Sequence, residues 1–130
     1  MTTDFLDTWR PRILSILRIV AAVLFFEHGT QKIFGFPPGH TPETFSLLGA
    51  AGILELAGGA LLILGLFTRQ VAFVLSGQMA FGYWMVHAPK SIFPAINGGD
   101  AAILFCFLFL YFVFAGPGTW SIDASVRGKS

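Results

Sequence analysis

The chain has 130 residues, of which 55% are hydrophobic and 12% are charged, and its net charge is +1. A soluble domain carries about 25% charged residues, so this chain has too few charges to cover a surface that faces water. The composition therefore predicts one domain within a lipid bilayer, leaves no room for a separate soluble catalytic domain, and offers no basic surface for nucleic acid.

Four apolar segments, each long enough to cross a bilayer as a helix, follow one another along the chain. The sequence predicts helices over residues 12–34, 45–67, 69–87 and 99–116. The first segment contains Arg18 and Glu27, which favours a retained helix over a cleaved signal peptide. The predicted fold class is all-α, a four-transmembrane-helix antiparallel bundle in which residues 68–70 form a tight hairpin link.

Positive charges indicate the orientation of this bundle. The side that carries both termini holds Arg10, Arg12, Arg69, Arg127 and Lys129. The opposite side holds Lys32 and Lys90. The positive-inside rule then places both termini in the cytoplasm, with the loops 35–44 and 88–98 facing outward. Arg18, close to the inner side, is expected to extend its side chain back to the headgroups.

Ionisable side chains from all four segments converge toward the outward-facing half. A charged group at the bilayer centre costs about 2.5–3.5 kcal/mol, so such groups turn inward and find partners. His28 and Lys32 share one helical face, and Glu55 lies among small residues that allow a neighbouring helix to approach closely. The predicted buried polar and ligand-binding cluster contains Glu27, His28, Lys32, Glu55, Tyr83, His87 and Asp100, together with Lys90 and Asn97.

This cluster is open to several interpretations. Glu55 is either a carboxylate that transfers protons or anchors a ligand, or a structural carboxylate paired with Lys32. His28 and His87 could bind a metal with Glu55 or Asp100, and the two histidines could also hold haem. No HxxH or ExxH motif accompanies them, so metal and haem rank below quinone as the expected cofactor.

Short motifs spread over almost the whole chain resemble those of the DoxX family. They are Arg18 through Gly29-x-x-Lys32, Glu55-x-x-Gly58-Gly59 with Leu64-Gly65-Leu66-x-Thr68-Arg69, Asn97-Gly98-Gly99-Asp100, and Gly116-x-Gly118-x-x-Ser121-Ile122-Asp123. The family often has Glu where this chain has Asp100. The resemblance implies a small four-helix membrane protein of bacteria or archaea. Some relatives are subunits of a thiosulfate:quinone oxidoreductase, and others are linked to complexes that handle thiol or oxidative stress.

Two functions fit these observations. The first is a multi-pass, quinone-linked redox subunit of the cell (inner) membrane, with a polar pocket in the outer half of the bundle. Because Cys106 is the only cysteine and forms no dithiol motif, its electron donor would be a partner protein or a soluble substrate. The second is a non-catalytic scaffold or anchor in which buried charges specify helix packing. A transporter fits less well, since no polar path crosses the inner half, and homodimerisation stays open.

Overall fold

The computed structural model describes residues 3–39 and 46–127, which are mainly helical and contain no strand within those ranges. In chain order the helices are α1 (Thr3–Phe34), α2 (Leu47–Leu64), α3 (Thr68–Gly82), α4 (Pro94–Asn97), α5 (Asp100–Ala115) and α6 (Ile122–Arg127). A π-helical turn (Tyr83–His87) and a 3₁₀ turn (Ala88–Lys90) extend α3. The prediction of an all-α fold is confirmed.

Two of the helices, α1 and α2, are long and apolar enough to cross a membrane by themselves. α5 is also apolar but has only 16 residues, and at ~1.5 Å per residue it is about 24 Å long. The four longest helices all expose large apolar side chains, among them Val20, Ile53, Phe73, Phe107 and Phe114. An apolar surface of this extent is suited to lipid rather than to water.

α1 and α2 pack as an antiparallel pair whose helices approach closely at glycines. A Cβ atom added to Gly29 would lie 2.8 Å from the Leu56 backbone nitrogen and 3.0 Å from the Gly52 carbonyl oxygen. A Cβ atom on Gly59 would lie 3.0 Å from the Cβ of Phe26. The predicted close approach of a neighbouring helix around Glu55 is therefore confirmed.

α1 begins at Thr3 rather than at Arg12, where the sequence analysis placed it. A proline inside a helix removes one backbone hydrogen bond, so a start just after Pro11 was the simpler prediction. In the structure α1 continues through Pro11. Local side-chain contacts support the added turns, including an ion pair of 2.8 Å between Arg10 and Asp7.

The link between α2 and α3 lies at residues 65–67, so the prediction of a link at residues 68–70 was wrong. α2 ends where Gly65 adopts a left-handed conformation with φ of 68°, and the Gly65 N–H donates to the carbonyls at the end of the helix. Phe67, with φ of 53°, turns the chain into α3 at Thr68. The other predicted bounds differ by a few residues, and Phe45, residues 40–44 and Lys129 lie outside the described ranges.

Arg18 is fully buried, so the prediction that it reaches the headgroups was wrong. Its guanidinium donates to the Leu62 carbonyl at 2.8 Å and the Trp120 carbonyl at 2.8 Å, and also to the carbonyls of Pro117 and Ile63. The last carbonyls of a helix have no partner within the helix. Arg18 donates hydrogen bonds to the last carbonyls of α2 and to carbonyls of the segment after α5, and thereby connects the two.

Two further long-range side chains satisfy helix ends at the same end of the bundle. The Asp123 carboxylate accepts the backbone N–H groups of Phe67 and Thr68, each at 2.9 Å, at the start of α3. Arg69 donates to the carbonyls of Val113 and Phe114, at 2.7 and 2.8 Å, at the end of α5. Arg18, Arg69 and Asp123 are called the basal network below.

Candidate functional site

A cavity of about 670 Å³ opens at the end of the bundle opposite the basal network. Its walls come from the second half of α1, the first half of α2, the end of α3 with its π-helical turn, and the first turns of α5. Most of its lining is apolar, including Phe25, Leu54, Met79 and Phe105. Small-molecule sites are typically about 300–1,000 Å³ with a few polar groups in an apolar wall, so this space, called the central cavity, suits a small apolar ligand.

An ion pair forms one polar part of the central cavity. Lys32 of α1 donates to both carboxylate oxygens of Glu55 of α2, at 2.7 and 2.8 Å. The Glu55 side chain is 1% exposed, whereas that of Lys32 is 26% exposed. A buried carboxylate requires such a partner, and the structure contains the pairing with Lys32 that was one of the two alternatives for Glu55.

Two histidines line the central cavity from different helices. The Nδ1 atom of His28 lies 2.9 Å from the carbonyl oxygen of Leu24, and Nδ1 of His87 lies 3.0 Å from that of Asn97. A carbonyl oxygen only accepts hydrogen bonds, so Nδ1 carries the proton in each ring. In the neutral imidazole, Nε2 is then the acceptor of each ring.

Gln78 of α3 lines the central cavity and was absent from the predicted cluster. Its Nε2 atom donates to the Ala51 carbonyl at 3.4 Å, and its Oε1 atom is buried with no hydrogen-bond partner within the described residues. Its place beside the apolar residues 79–81 was visible in the sequence. The cost of burying charge does not single out Gln78, because an amide is neutral.

Four members of the predicted cluster line the central cavity: His28, Lys32, Glu55 and His87. Glu27 and Asp100 are exposed and lie outside its lining. Tyr83 also lies outside the lining, with its ring stacked on His87 at a centroid distance of 6.3 Å. Tyr83 accepts a hydrogen bond of 3.1 Å from the buried Asn97 side chain, so both residues hold His87 in position.

Metal ligation finds no support in this geometry. Across residues 3–39 and 46–127, no group of three His, Cys, Asp or Glu side chains is arranged to hold a metal ion. The cavity-lining groups are therefore considered below as hydrogen-bonding groups.

Comparisons with known proteins found one matching family model and several relatives. The sequence model of the DoxX family matches residues 13–88. An uncharacterised protein of Haemophilus influenzae is 46% identical over 125 residues, covering 91% of this chain and 93% of that protein. An uncharacterised membrane protein of Mycobacterium tuberculosis is 28% identical, with 92% and 85% covered, and the inner membrane protein YphA of Escherichia coli is 29% identical, with 88% and 90% covered. No solved structure matches the chain.

Proposed function

This chain belongs to the DoxX family, and from that membership we propose that it is a multi-pass bacterial inner membrane protein that binds a quinone-type molecule in the central cavity. One observation carries the proposal: a cavity of about 670 Å³ has mainly apolar walls and contains the Lys32–Glu55 pair. The relatives named as membrane proteins support the location.

Four membrane spans are part of this proposal. α3 has 15 residues and its π-helical turn has 5, which together give about 30 Å of helix at ~1.5 Å per residue. That length equals the ~30 Å hydrocarbon core of a bilayer. α5 is about 24 Å long, which is shorter than the hydrocarbon core, so interfacial residues on either side of it would complete the crossing. With both termini in the cytoplasm by the positive-inside rule, the central cavity lies in the outer half.

The lining of the central cavity fits a quinone-type ligand. Phe25, Met79 and Phe105 offer apolar and aromatic surface for its ring, while Lys32 and the histidines offer polar contacts for its oxygens. Such a ligand would supply the electron-transfer capacity that the side chains here lack. Because Cys106 is the only cysteine, the electron donor would be a redox partner protein or a soluble substrate.

A titration of the purified protein in lipid nanodiscs with a short-chain quinone tests this function. Ala102→Phe places a large side chain at the cavity wall without touching the ion pair, and we expect it to weaken binding at least about tenfold by filling the space. Leu104→Phe is the matched control, because Leu104 lies on the same helix, is 70% exposed and is not part of the lining. The absence of saturable binding, or equal affinities for both variants, would contradict the proposal.

The alternative function is a membrane scaffold or anchor for a partner complex. The bidentate contact between Lys32 and Glu55 favours it, because that pair joins α1 to α2 and needs no ligand to be satisfied. A scaffold predicts that cavity-filling variants leave partner assembly intact and that no quinone titrates. Pull-down of the assembled complex with Ala102→Phe therefore separates the two functions.

A further inference from the structure

A second cavity, of about 410 Å³, lies between α1 and α5 at the end of the bundle that carries the basal network. Its volume falls within the ~300–1,000 Å³ that is typical of small-molecule sites. A Cβ atom added to Gly118 would lie 2.6 Å from the Pro11 carbonyl oxygen, so the backbone after α5 packs directly on α1 here. The lining of this space, called the basal groove, consists of five residues of α1 between Arg10 and Leu17, with Tyr111, Ala115 and Gly118.

The α1 side of the basal groove is an apolar helical face with a cation at one end. Arg10, Ile13, Leu14 and Leu17 follow one another at spacings of three, one and three residues, which places them on the same face of a helix. From Arg10 to Leu17 this face extends about 10 Å at ~1.5 Å per residue. Ile13 and Leu17 are 55% and 41% exposed. A molecule that matches this face has one anionic end and an apolar body.

The Arg10 guanidinium is accessible to such a molecule. Its Nη2 atom donates to Oδ1 of Asp7 at 2.8 Å, and a guanidinium carries five N–H donors. The side chains of Arg10 and Asp7 are 77% and 58% exposed, so their ion pair contributes little stability and an anion can compete with it. Arg12 lies outside the lining, with its guanidinium 4.8 Å from the centroid of the Trp9 ring. Arg10 is therefore the cation of the basal groove.

We propose that the basal groove binds one anionic phospholipid, with its phosphate at Arg10 and an acyl chain along Ile13, Leu14 and Leu17. Guanidinium groups bind phosphate oxygens through paired N–H donors, and basic residues at a membrane surface attract anionic lipids. The apolar face below Arg10 supplies the surface that an acyl chain covers. This site lies at the opposite end of the bundle from the central cavity, so the inference rests on the membrane location and not on quinone binding.

Native mass spectrometry of the detergent-solubilised protein tests the charge of the ligand, with phosphatidylglycerol and phosphatidylcholine of identical acyl chains as probes. We expect the anionic lipid to bind the wild-type protein at least about fivefold more tightly, which is the contribution of one arginine near a membrane surface. Arg10→Gln should reduce that ratio to about twofold or less. Arg12→Gln removes the same charge outside the groove and should keep the wild-type ratio. Asp7→Asn removes the competing carboxylate and should raise the affinity for phosphatidylglycerol.

A second pair of variants tests the location of the lipid. Ala115→Phe fills the basal groove and leaves Arg10 in place, so we expect it to weaken phosphatidylglycerol binding at least about fivefold. Ala102→Phe is the matched control, because it makes the same substitution on the same helix but at the central cavity. It should leave phosphatidylglycerol binding unchanged.

Three results would overturn the proposal. Equal affinities of the wild-type protein for the two lipids would exclude a site for an anionic headgroup. Equal ratios for Arg10→Gln and Arg12→Gln would show only a general effect of surface charge. Unchanged phosphatidylglycerol binding by folded Ala115→Phe protein would place the lipid outside the groove. The comparison of the two lipids on the wild-type protein needs no variant, and its result is independent of the quinone titration.

Discussion

The two partners of the Lys32–Glu55 ion pair differ sharply in burial, with Glu55 at 1% and Lys32 at 26% exposure. Removing Lys32 therefore leaves a charge that cannot reach a polar environment, whereas Lys32 can turn outward when Glu55 is removed. The contact joins α1 to α2 at the central cavity, so its strength affects both packing and the shape of the site.

We predict that Lys32→Met lowers the free energy of unfolding by about 3–5 kcal/mol and that Glu55→Gln lowers it by less. The double variant should lose less free energy of unfolding than the two single variants lose in sum, with a coupling energy of at least about 1 kcal/mol. Denaturant unfolding in detergent, arranged as a double-mutant cycle, gives these values. Lys90→Met, at an exposed lysine, is the control, and additive single effects would show that the pair contributes nothing.

Arg18 contributes to stability through the carbonyl groups that it satisfies. We predict that Arg18→Met lowers the free energy of unfolding by at least about 2 kcal/mol, since each buried acceptor left without a donor costs roughly 1–3 kcal/mol. Arg10→Met on the same helix should change it by less than about 0.5 kcal/mol, because the Arg10 side chain is 77% exposed. Similar melting temperatures for the two variants would refute a capping role for Arg18.

Part of the candidate site could be predicted from the sequence. The cost of burying charge in lipid pointed to Glu55 and gave Lys32 as one candidate partner. The same reasoning missed Gln78, because an uncharged amide carries a smaller penalty. It also misread Arg18, because the carbonyls that surround it belong to residues 62–63 and 117–120, far away in the chain.

At the scale of the helices, α1 and α2 pack closely because Gly29 has no side chain at their contact. The space beside Gly29 is occupied by backbone atoms of α2, which cannot move aside as a flexible side chain can. The two helices therefore hold Lys32 and Glu55 within hydrogen-bonding distance by direct backbone packing.

We predict that Gly29→Ala destabilises the protein by about 1–3 kcal/mol, because the added methyl group would separate α1 from α2. Gly77→Ala is the matched control within α3, where a Cβ atom meets nothing within 4 Å. That change should be neutral or stabilising by up to about 1 kcal/mol, since alanine favours a helix over glycine. Thermal unfolding of both variants tests this prediction. Equal decreases in stability would mean that the close approach of the helices at Gly29 is unimportant.

The helix ends were less predictable than the helices. The positions of the four longest helices could be predicted from local composition, because each is an apolar segment between glycines or prolines. The start of α3 depends on Asp123, which accepts hydrogen bonds from Phe67 and Thr68 across more than fifty residues of chain. No local pattern around Thr68 contains that information, so the link was placed too late.

On the scale of the whole molecule, the central cavity and the basal network occupy opposite ends of the bundle. The basal network satisfies the ends of α2, α3 and α5, whereas the central cavity has mainly apolar walls and contains the Lys32–Glu55 pair. One end is thus joined by long-range hydrogen bonds, and the other encloses a cavity. The proposed four spans and cytoplasmic termini would place the central cavity in the outer half.

Accessibility of single cysteines tests this orientation. In a Cys106→Ala background we predict that Ile92→Cys reacts with a membrane-impermeant maleimide in intact spheroplasts, because Ile92 is 84% exposed in the loop that the proposed topology places outside. Val126→Cys, at a residue 76% exposed near the basal network, should react only after permeabilisation. The reverse pattern would mean that the protein has the inverted orientation. Labelling of both residues in intact spheroplasts would exclude an odd number of spans between them, and therefore the single span α5 of the proposal.

The most direct test of the ligand-binding cavity is photolabelling of the membrane-embedded protein with an azidoquinone, followed by peptide mapping. We predict that the label attaches to cavity-lining residues such as Met79, Met85 and Phe105, and that excess unlabelled hydroquinone prevents it. Label spread over lipid-facing residues such as Phe73 and Phe107, with no competition, would contradict a quinone-type site in the central cavity.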